Sequence, residues 1–556
     1  MTIHCKTRKL VSKNLSSKGP DLGPCSIEQY VAKKDCFRFA PTNKTPVSWP
    51  HDDKTRPFMD DRYGAFDNAL DNITRNALKE FGIRRCNTVV KKLTQRGFPA
   101  AEERTVIVLT VGTETDTTRW QEAVDCINEI INDAAAQVGE TMGVELESPS
   151  QRYYDISSAI SPGTSVHKLF LQIEHVVEAE VRKSCSGLWT SIAYHNRYNK
   201  FSGNVGSIAH WGEVETQLRR AIEAVPFEEE VEIALEVLPG FNIPSTAPST
   251  AYSPTTSHHP KFESDIPPVP SLGASIGPQL SDTESGSLGA VVNFQPRGGG
   301  QPQTCFLTAY HVIASGDPTG RAVNDELGIG LDGRAVGQRI EIAYPACCDG
   351  EYTKDLLAKF AKEDTRPKRS YYANLVTLIE REGVIGEVIH ASGLRHSSTG
   401  EKHHRMNWAL VALHPPKDDV LNLPPTQFPH PCSNEFEFVF NYRIKPRKVI
   451  SQTSEPVAFS WAGKVNGGTW GTAGRVNSMK RTVCWGDGVV SKEIEVIPFK
   501  GGFAEGGDDG SMVFNVKKEW VGMVVGSDSE YAGYITPAAD IIADIEARTG
   551  GTITLV

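Results

Sequence analysis

Apolar and polar residues follow clear periods from about residue 60 onward, and the period changes along the chain. Residues 104–112 (RTVIVLTVG) form an apolar run rich in β-branched side chains, the pattern of a buried strand. From Thr118, apolar residues recur at Val124, Ile127, Ile131, Ala135 and Val138, which predicts a helix with one buried stripe. Residues 142–146 read as another strand. A second helical stripe follows Pro162 and Gly163, through Val166, Leu169, Phe170, Ile173, Val177 and Val181. Residues 188–194 read as a strand, 214–222 as a short helix, and 231–238 alternate like a strand. The pattern therefore predicts one α/β domain over residues 61–240, with its topology left open.

Two stretches lack such a period. Residues 1–60 are rich in Lys, Pro, Asn and Ser and read as an irregular tail. Residues 241–285 hold Pro244, Pro248, Pro254, Pro260, Pro267, Pro268 and Pro270 among many Ser and Thr. Such a composition cannot bury enough apolar surface to fold alone, so 241–270 reads as an extended linker. From residue 271 the chain turns to short strands broken by Gly and Pro: 286–294, 305–313, 408–413, 436–440, 494–499, 511–514 and 521–525. That spacing predicts a barrel or sandwich. A closing helix is expected over 540–548. Residues 315–405 read as a charged, irregular insertion.

Composition narrows the class only modestly. With 556 residues, 39% hydrophobic and 23% charged, the chain is of ordinary globular type and long enough for several domains. The formal net charge of −10 argues against a nucleic-acid partner, whose phosphates favour a basic face. No apolar run approaches the ~20 residues that span a bilayer, so no membrane partner is expected. Residues 1–18 are basic but lack the apolar centre of a secretory signal. The eleven cysteines are odd in number and show no C-x-x-C, which suits buried thiols in a reducing cytoplasm rather than a disulfide framework.

Candidate chemistry lies in the C-terminal half. The segments in order are Phe306-Leu307-Thr308-Ala309-Tyr310-His311-Val312, Met406-Asn407-Trp408-Ala409-Leu410-Val411, and Phe503-Ala504-Glu505-Gly506-Gly507-Asp508-Asp509-Gly510-Ser511. They are followed by Trp520-Val521-Gly522-Met523-Val524-Val525-Gly526 and Tyr534-Ile535-Thr536-Pro537. In this order they resemble the histidine, aspartate and nucleophile motifs of trypsin-like serine proteases, then the strand lining the specificity pocket. The likeness covers residues 271–548 and is nearest to intracellular trypsin-like domains of fungal proteins. It implies a C-terminal all-β trypsin-like double β-barrel; with the α/β pattern of residues 61–240, the chain is expected to be multidomain, an N-terminal α/β domain plus that barrel.

The resemblance also implies a degenerate triad. His311 keeps the histidine position, Asn407 stands where an aspartate is expected, and Asp509 stands where the nucleophilic serine is expected. Gly507 and Asp509 take the oxyanion-hole positions, and Phe503 and Gly526 the pocket positions. In an active triad the serine attacks, the histidine takes its proton, and the buried aspartate fixes the histidine tautomer. Asparagine at the third position alone costs ~10⁴-fold in turnover. The Asp509 carboxylate is expected either to pair with His311 or to sit solvated on an open loop. Ser511, two residues on, reaches His311 only after a register shift. One functional reading is a pseudoprotease that binds a protein or peptide, with the N-terminal domain as a second binding or self-association surface. The alternative is an active intracellular serine-type endopeptidase with a non-standard nucleophile. No cofactor is implied. His390, His396, His403, His404, Cys347 and Cys348 lack a strong zinc spacing and read as solvated insertion residues. Phe503 suits a core position as well as a pocket floor.

Overall fold

The structure is a computed structural model. It describes residues 23–47, 51–53, 72–83, 86–95, 104–111, 116–137, 142–148, 157–196, 199–243, 270–347, 383–396, 404–414, 421–424, 434–441, 449–466, 471–499, 502–528 and 532–556, apart from 205, 230, 232, 282–283, 333, 335 and 336. Most of the expected linker, the centre of the expected insertion, His403 and Cys348 lie outside the described residues.

The residues expected as one α/β domain divide between two sheets. The first sheet runs in the order Arg38–Phe39, Gly143–Glu147, Arg104–Val111, Cys86–Gln95, His51–Asp53. Its alternation does what a strand period of two requires. Ile107, Leu109 and Val111 face the helix Trp120–Gln137 and its stripe of Val124, Ile127 and Ile131. Val106 and Val108 point the other way and pack with Val47 and Leu93. Arg104–Val111 and Gly143–Glu147 are parallel, so the helix between them is the crossover that parallel pairing demands.

The second group comprises the strands Trp189–Tyr194, Asn199–Asn204 and Leu235–Gly240 with the helices Ile27–Lys34, Ser165–Ser184 and Trp211–Glu223. Helix Ser165–Ser184 buries the expected stripe of Leu169, Phe170, Ile173, Val177 and Val181. This group is no separate sheet. Ile192 pairs with Thr482 and Ser191 with Val483, so its strands continue into the C-terminal half. The tail is also less irregular than expected. Ser26 and Gln29 form a reciprocal capping box that starts the helix Ile27–Lys34, and Ile27 and Tyr30 are buried beneath it.

In the C-terminal half, six strands close on themselves: Trp461–Lys464, Thr472–Val476, Val490–Pro498, Gly533–Pro537, Trp520–Asp528 and Met512–Asn515. The other sheet is an open half-barrel of Gly286–Ser287, Ser275–Pro278, Glu341–Tyr344, Gly383–Ala391, Ala409–Leu413, Gln303–Thr308, Val291–Gln295 and Thr552–Leu555. A closed barrel beside a half-barrel is consistent with a trypsin-like double β-barrel. Helix Ala538–Thr549 follows, with Ala538, Ile541 and Ile545 buried in the core shared by the two sheets. Trp408 Nε1–H donates to Asp544 Oδ2 of that helix at 2.8 Å.

Three expectations are corrected here. Residues 436–440 form the end of a helix, Asn434–Phe440, not a strand. The run 305–313 breaks into a strand, Gln303–Thr308, and a helical turn, Tyr310–Ile313. The expected insertion supplies two strands of the half-barrel, Glu341–Tyr344 and Gly383–Ala391, which pair with each other.

Candidate functional site

The structure brings His311, Asn407 and Asp509 together between the half-barrel and the closed barrel. His311 lies on the helical turn that follows the strand Gln303–Thr308, itself paired with Ala409–Leu413. Asn407 lies just ahead of that partner strand, and its carbonyl accepts the Tyr310 N–H at 3.1 Å. The histidine and asparagine positions are therefore fixed by adjacent strands of one sheet. Asp509 arrives from the other barrel, on the loop before Met512–Asn515. It is docked by Ser287, whose N–H donates to Asp509 O at 2.8 Å and whose hydroxyl donates to Gly507 O at 3.0 Å.

The loop is held from beneath by a buried ion pair. Lys464 Nζ lies 2.7 Å from Asp508 Oδ2, and both side chains are fully buried. The same carboxylate oxygen accepts the Glu505 N–H at 2.8 Å, which ties the loop into a tight turn. Gly507 and Gly510 have φ of +86° and +88°, in the left-handed region. At Gly510 a Cβ would lie 2.4 Å from Thr308 Oγ1 and 2.6 Å from Ser287 O, so only glycine fits.

Hydrogen-bond polarity at His311 follows from Asn407. Asn407 Oδ1 accepts the backbone N–H of His311 at 3.1 Å. Its Nδ2, a donor only, then lies 2.5 Å from His311 Nδ1. Nδ1 must therefore present a lone pair, which puts the ring proton on Nε2. That nitrogen directly contacts Asp509 Oδ2. The contact lacks the alignment of a full hydrogen bond, yet a carboxylate oxygen against Nε2 is tolerable only with a proton between them. The ring thus carries the tautomer opposite to the one an active triad uses, in which Nδ1 holds the proton and Nε2 accepts.

Solvent does not separate these groups. His311 is 5% exposed, Asn407 4% and Asp509 0%, which rules out a solvated Asp509 on an open loop. Ser511 is committed to backbone pairing: its N–H donates to Asp508 O and its carbonyl accepts from Val524 N–H, both at 3.0 Å. Phe503 is a core residue. Its ring packs with Val476, Val496, Ala504 and Ile535, and its carbonyl accepts from Thr472 Oγ1 at 2.8 Å. Gly526 lies within the strand Trp520–Asp528, opposite Tyr534, beside a register slip after Val524.

The histidines weighed for zinc are scattered. His390 Nδ1 faces Gly330 O at 2.7 Å. His404 is buried with its two ring nitrogens 3.9 Å from Glu493 Oε2 and Asp540 Oδ2. Among the described residues, no group of three His, Cys, Asp or Glu side chains is placed to hold a metal ion. No helix among them is long and apolar enough to cross a membrane.

Sequence reasoning missed a second buried polar cluster. Arg481 donates to Glu495 Oε1 at 2.7 Å, to Asp528 Oδ2 at 2.6 Å and to Ser191 Oγ at 2.9 Å. His195 Nε2 lies 3.0 Å from both Glu495 oxygens. Despite burial, the neighbouring His195 and Arg481 hold the Glu495 carboxyl far below the usual carboxylate range. The only sequence signal was charge inside strand patterns (R-T-V-C and E-I-E-V), which is uncommon for buried strands.

No protein-family model and no curated protein matches the chain. Solved structures do match about half of the chain. A glutamic-acid-specific serine protease described as using a histidine triad in substrate binding matches at 14% identity and a TM-score of 0.26, covering 51% of this chain and 99% of its own. Thermobifida fusca protease A matches at 13% and 0.26, covering 51% and 98%. Cellulomonas bogoriensis chymotrypsin matches at 13% and 0.25, covering 51% and 97%. At such values the two-barrel architecture rests on the strand connectivity given above, not on the likeness.

Proposed function

We propose that the chain is a trypsin-like protease homologue that holds a protein or peptide partner and does not hydrolyse it. The observation carrying this reading is the reversed polarity at His311. A carboxylate occupies the place of a hydroxyl nucleophile, and an amide NH₂ faces the nitrogen that should donate. A base must offer a lone pair to the proton it takes, and here the lone pair points into Asn407. The carboxylate of Asp509 is buried against the ring, so the site is filled by its own side chains. Partner binding is assigned to the strand edge beside this site, where an extended peptide can add as a further strand. A reducing, intracellular setting is supported by Cys25, Cys185 and Cys305, which are buried thiols rather than bridges.

Two measurements test this. A fluorophosphonate probe is expected to leave the purified chain unlabelled, whereas labelling at a serine of the C-terminal half would favour an enzyme. The double change Asp509→Ser with Asn407→Asp is expected to create labelling and peptide turnover, because positions 407 and 509 already flank the His311 ring. If the double variant folds and remains inert, the loss of chemistry is not local to these two positions.

A further inference from the structure

The strand Trp520–Asp528 passes the His311–Asp509 site, and its two edges have different fates. One edge pairs with Gly533–Pro537 from Gly522 to Ser527. The other edge is taken first by Met512–Asn515. It is then taken by the Asp509 loop, through Gly510 N–H to Val524 O at 2.9 Å and Val524 N–H to Ser511 O at 3.0 Å. At its far end, Ser527 and Asp528 pair antiparallel with Ile243 and Asn242. Ser527 already pairs with Gly533 on one side, so Ile243 lies on the side facing the Asp509 loop. Only Val525 and Gly526 separate the two occupants, a span of about 7 Å at ~3.3 Å per residue.

Asn242 is held in place by its side chain. Nδ2–H donates to Thr190 O at 3.1 Å and to Cys484 O at 2.9 Å, and Oδ1 accepts from Tyr534 O–H at 3.3 Å. These bonds tie it to three different strands. The antiparallel sense also matters. Asn242 sits opposite Asp528 and Ile243 opposite Ser527, so the segment runs toward the site. Pro244, next in sequence, has no N–H to donate.

We propose that Asn242–Ile243 is a built-in strand plug on the edge where a peptide partner would add. This rests on the peptide-binding reading above. Strands in stable sheets run to about five or six residues, and two open positions offer too short a ladder for strand addition. An extended peptide gains the edge only by displacing Ile243 from Ser527. The N-terminal half, which carries the plug, thereby controls access to the C-terminal site. The chemistry accepted at the edge is that of the plug itself: an extended backbone carrying a carboxamide where Asn242 sits.

The test uses the full chain and a fluorescent peptide of residues 238–247 as probe. Asn242→Ala removes the side-chain anchors, and Ile243→Pro removes a backbone N–H. Both variants are expected to exchange the amides of 525–528 faster and to bind the peptide at least tenfold more tightly than the unaltered chain. Equal affinity in all three proteins would overturn the plug and leave the peptide reading standing. Faster exchange with no binding to any protein would remove the peptide reading and the plug with it. Unchanged exchange in both variants would show that Asn242–Ile243 do not hold this edge. Asn242→Ala keeps its fold in either case, because it deletes only side-chain atoms at a strand end.

Discussion

At the scale of single residues, the decisive group is Asn407. Its amide orientation is fixed by the His311 backbone N–H, and that choice dictates which imidazole nitrogen carries the proton. Side-chain ¹⁵N spectra of His311 are expected to show a protonated Nε2 and a bare Nδ1; Asn407→Asp is expected to protonate Nδ1 as well, because Asp509 still faces Nε2, and only the double variant with Asp509→Ser is expected to reverse the two nitrogens. Restoring serine alone should therefore yield little. Asp509→Ser should trail the double variant by ~10³–10⁴-fold in turnover, the size of the tautomer penalty in an intact triad. Equal rates in the single and double variants would contradict the assignment. A second residue-scale prediction concerns Glu493. Burial pushes its carboxyl up to about 7, against weaker opposition from Ser491 and the Arg405 N–H. The folded chain then keeps a proton that the unfolded chain releases between about pH 4.5 and 7, so this group's contribution falls as pH rises through that window. Glu493→Gln copies the protonated form. Its stability advantage over the unaltered chain should grow from near zero at pH 4.5 to about 3 kcal/mol above pH 7.5. A pH-independent difference in denaturant titrations would refute this.

At the scale of elements, the misread segment 436–440 is instructive. Its F-x-F-x-F alternation has the strand period, with every second residue aromatic. In the helix Asn434–Phe440 the same residues separate by turn: Phe436 and Phe440, four apart, are 0% and 4% exposed, and Phe438 is 84% exposed. Phe440 stacks edge-on to Phe514 with ring centroids 5.3 Å apart, and Gly463 makes room for it. Phe436→Ala should thus cost about 3–5 kcal/mol, while Phe438→Ala should stay within about 0.5 kcal/mol. Comparable losses at both positions, in chemical unfolding, would restore the strand reading. The helix Ile27–Lys34 shows the opposite case. Its Ser26–Gln29 capping box stands in the sequence, yet the polar residues around it masked a segment whose Ile27 and Tyr30 find their cover nearly 190 residues away, with Val214 and Leu218.

At the scale of the whole molecule, the two halves share one hydrogen-bonded sheet. The strand Trp189–Tyr194 is sealed to Arg481–Cys484 by backbone pairing and by the Arg481–Glu495–Asp528–Ser191 cluster. Lys492 adds ion pairs to Glu174 and Glu178 on the helix Ser165–Ser184. The section 157–243 is therefore expected to unfold together with the closed barrel, with amide protons in both exchanging at one free energy. Arg481→Met leaves two buried carboxylates without their cation and should cost about 3–5 kcal/mol. It should also expose 189–243 to limited proteolysis before the barrel. An unaltered cleavage pattern would mean that the halves are joined by something other than this cluster.

The sequence alone carried the local facts: the apolar stripes of the long helices, the β-rich C-terminal half, and the three positions that meet in the site. Those features repeat within a few residues, and propensity and periodicity act at that range. Tertiary structure decided what depends on distant partners. It split the expected α/β domain between two sheets, since strand pairing is chosen by edges far apart in the chain. It chose core over pocket floor for Phe503, where the sequence left both open, and it buried Arg481 and Glu495, whose charges are tolerable only because they meet. It also aimed the Asn407 amide, whose direction depends on one backbone N–H that no pattern of residues records.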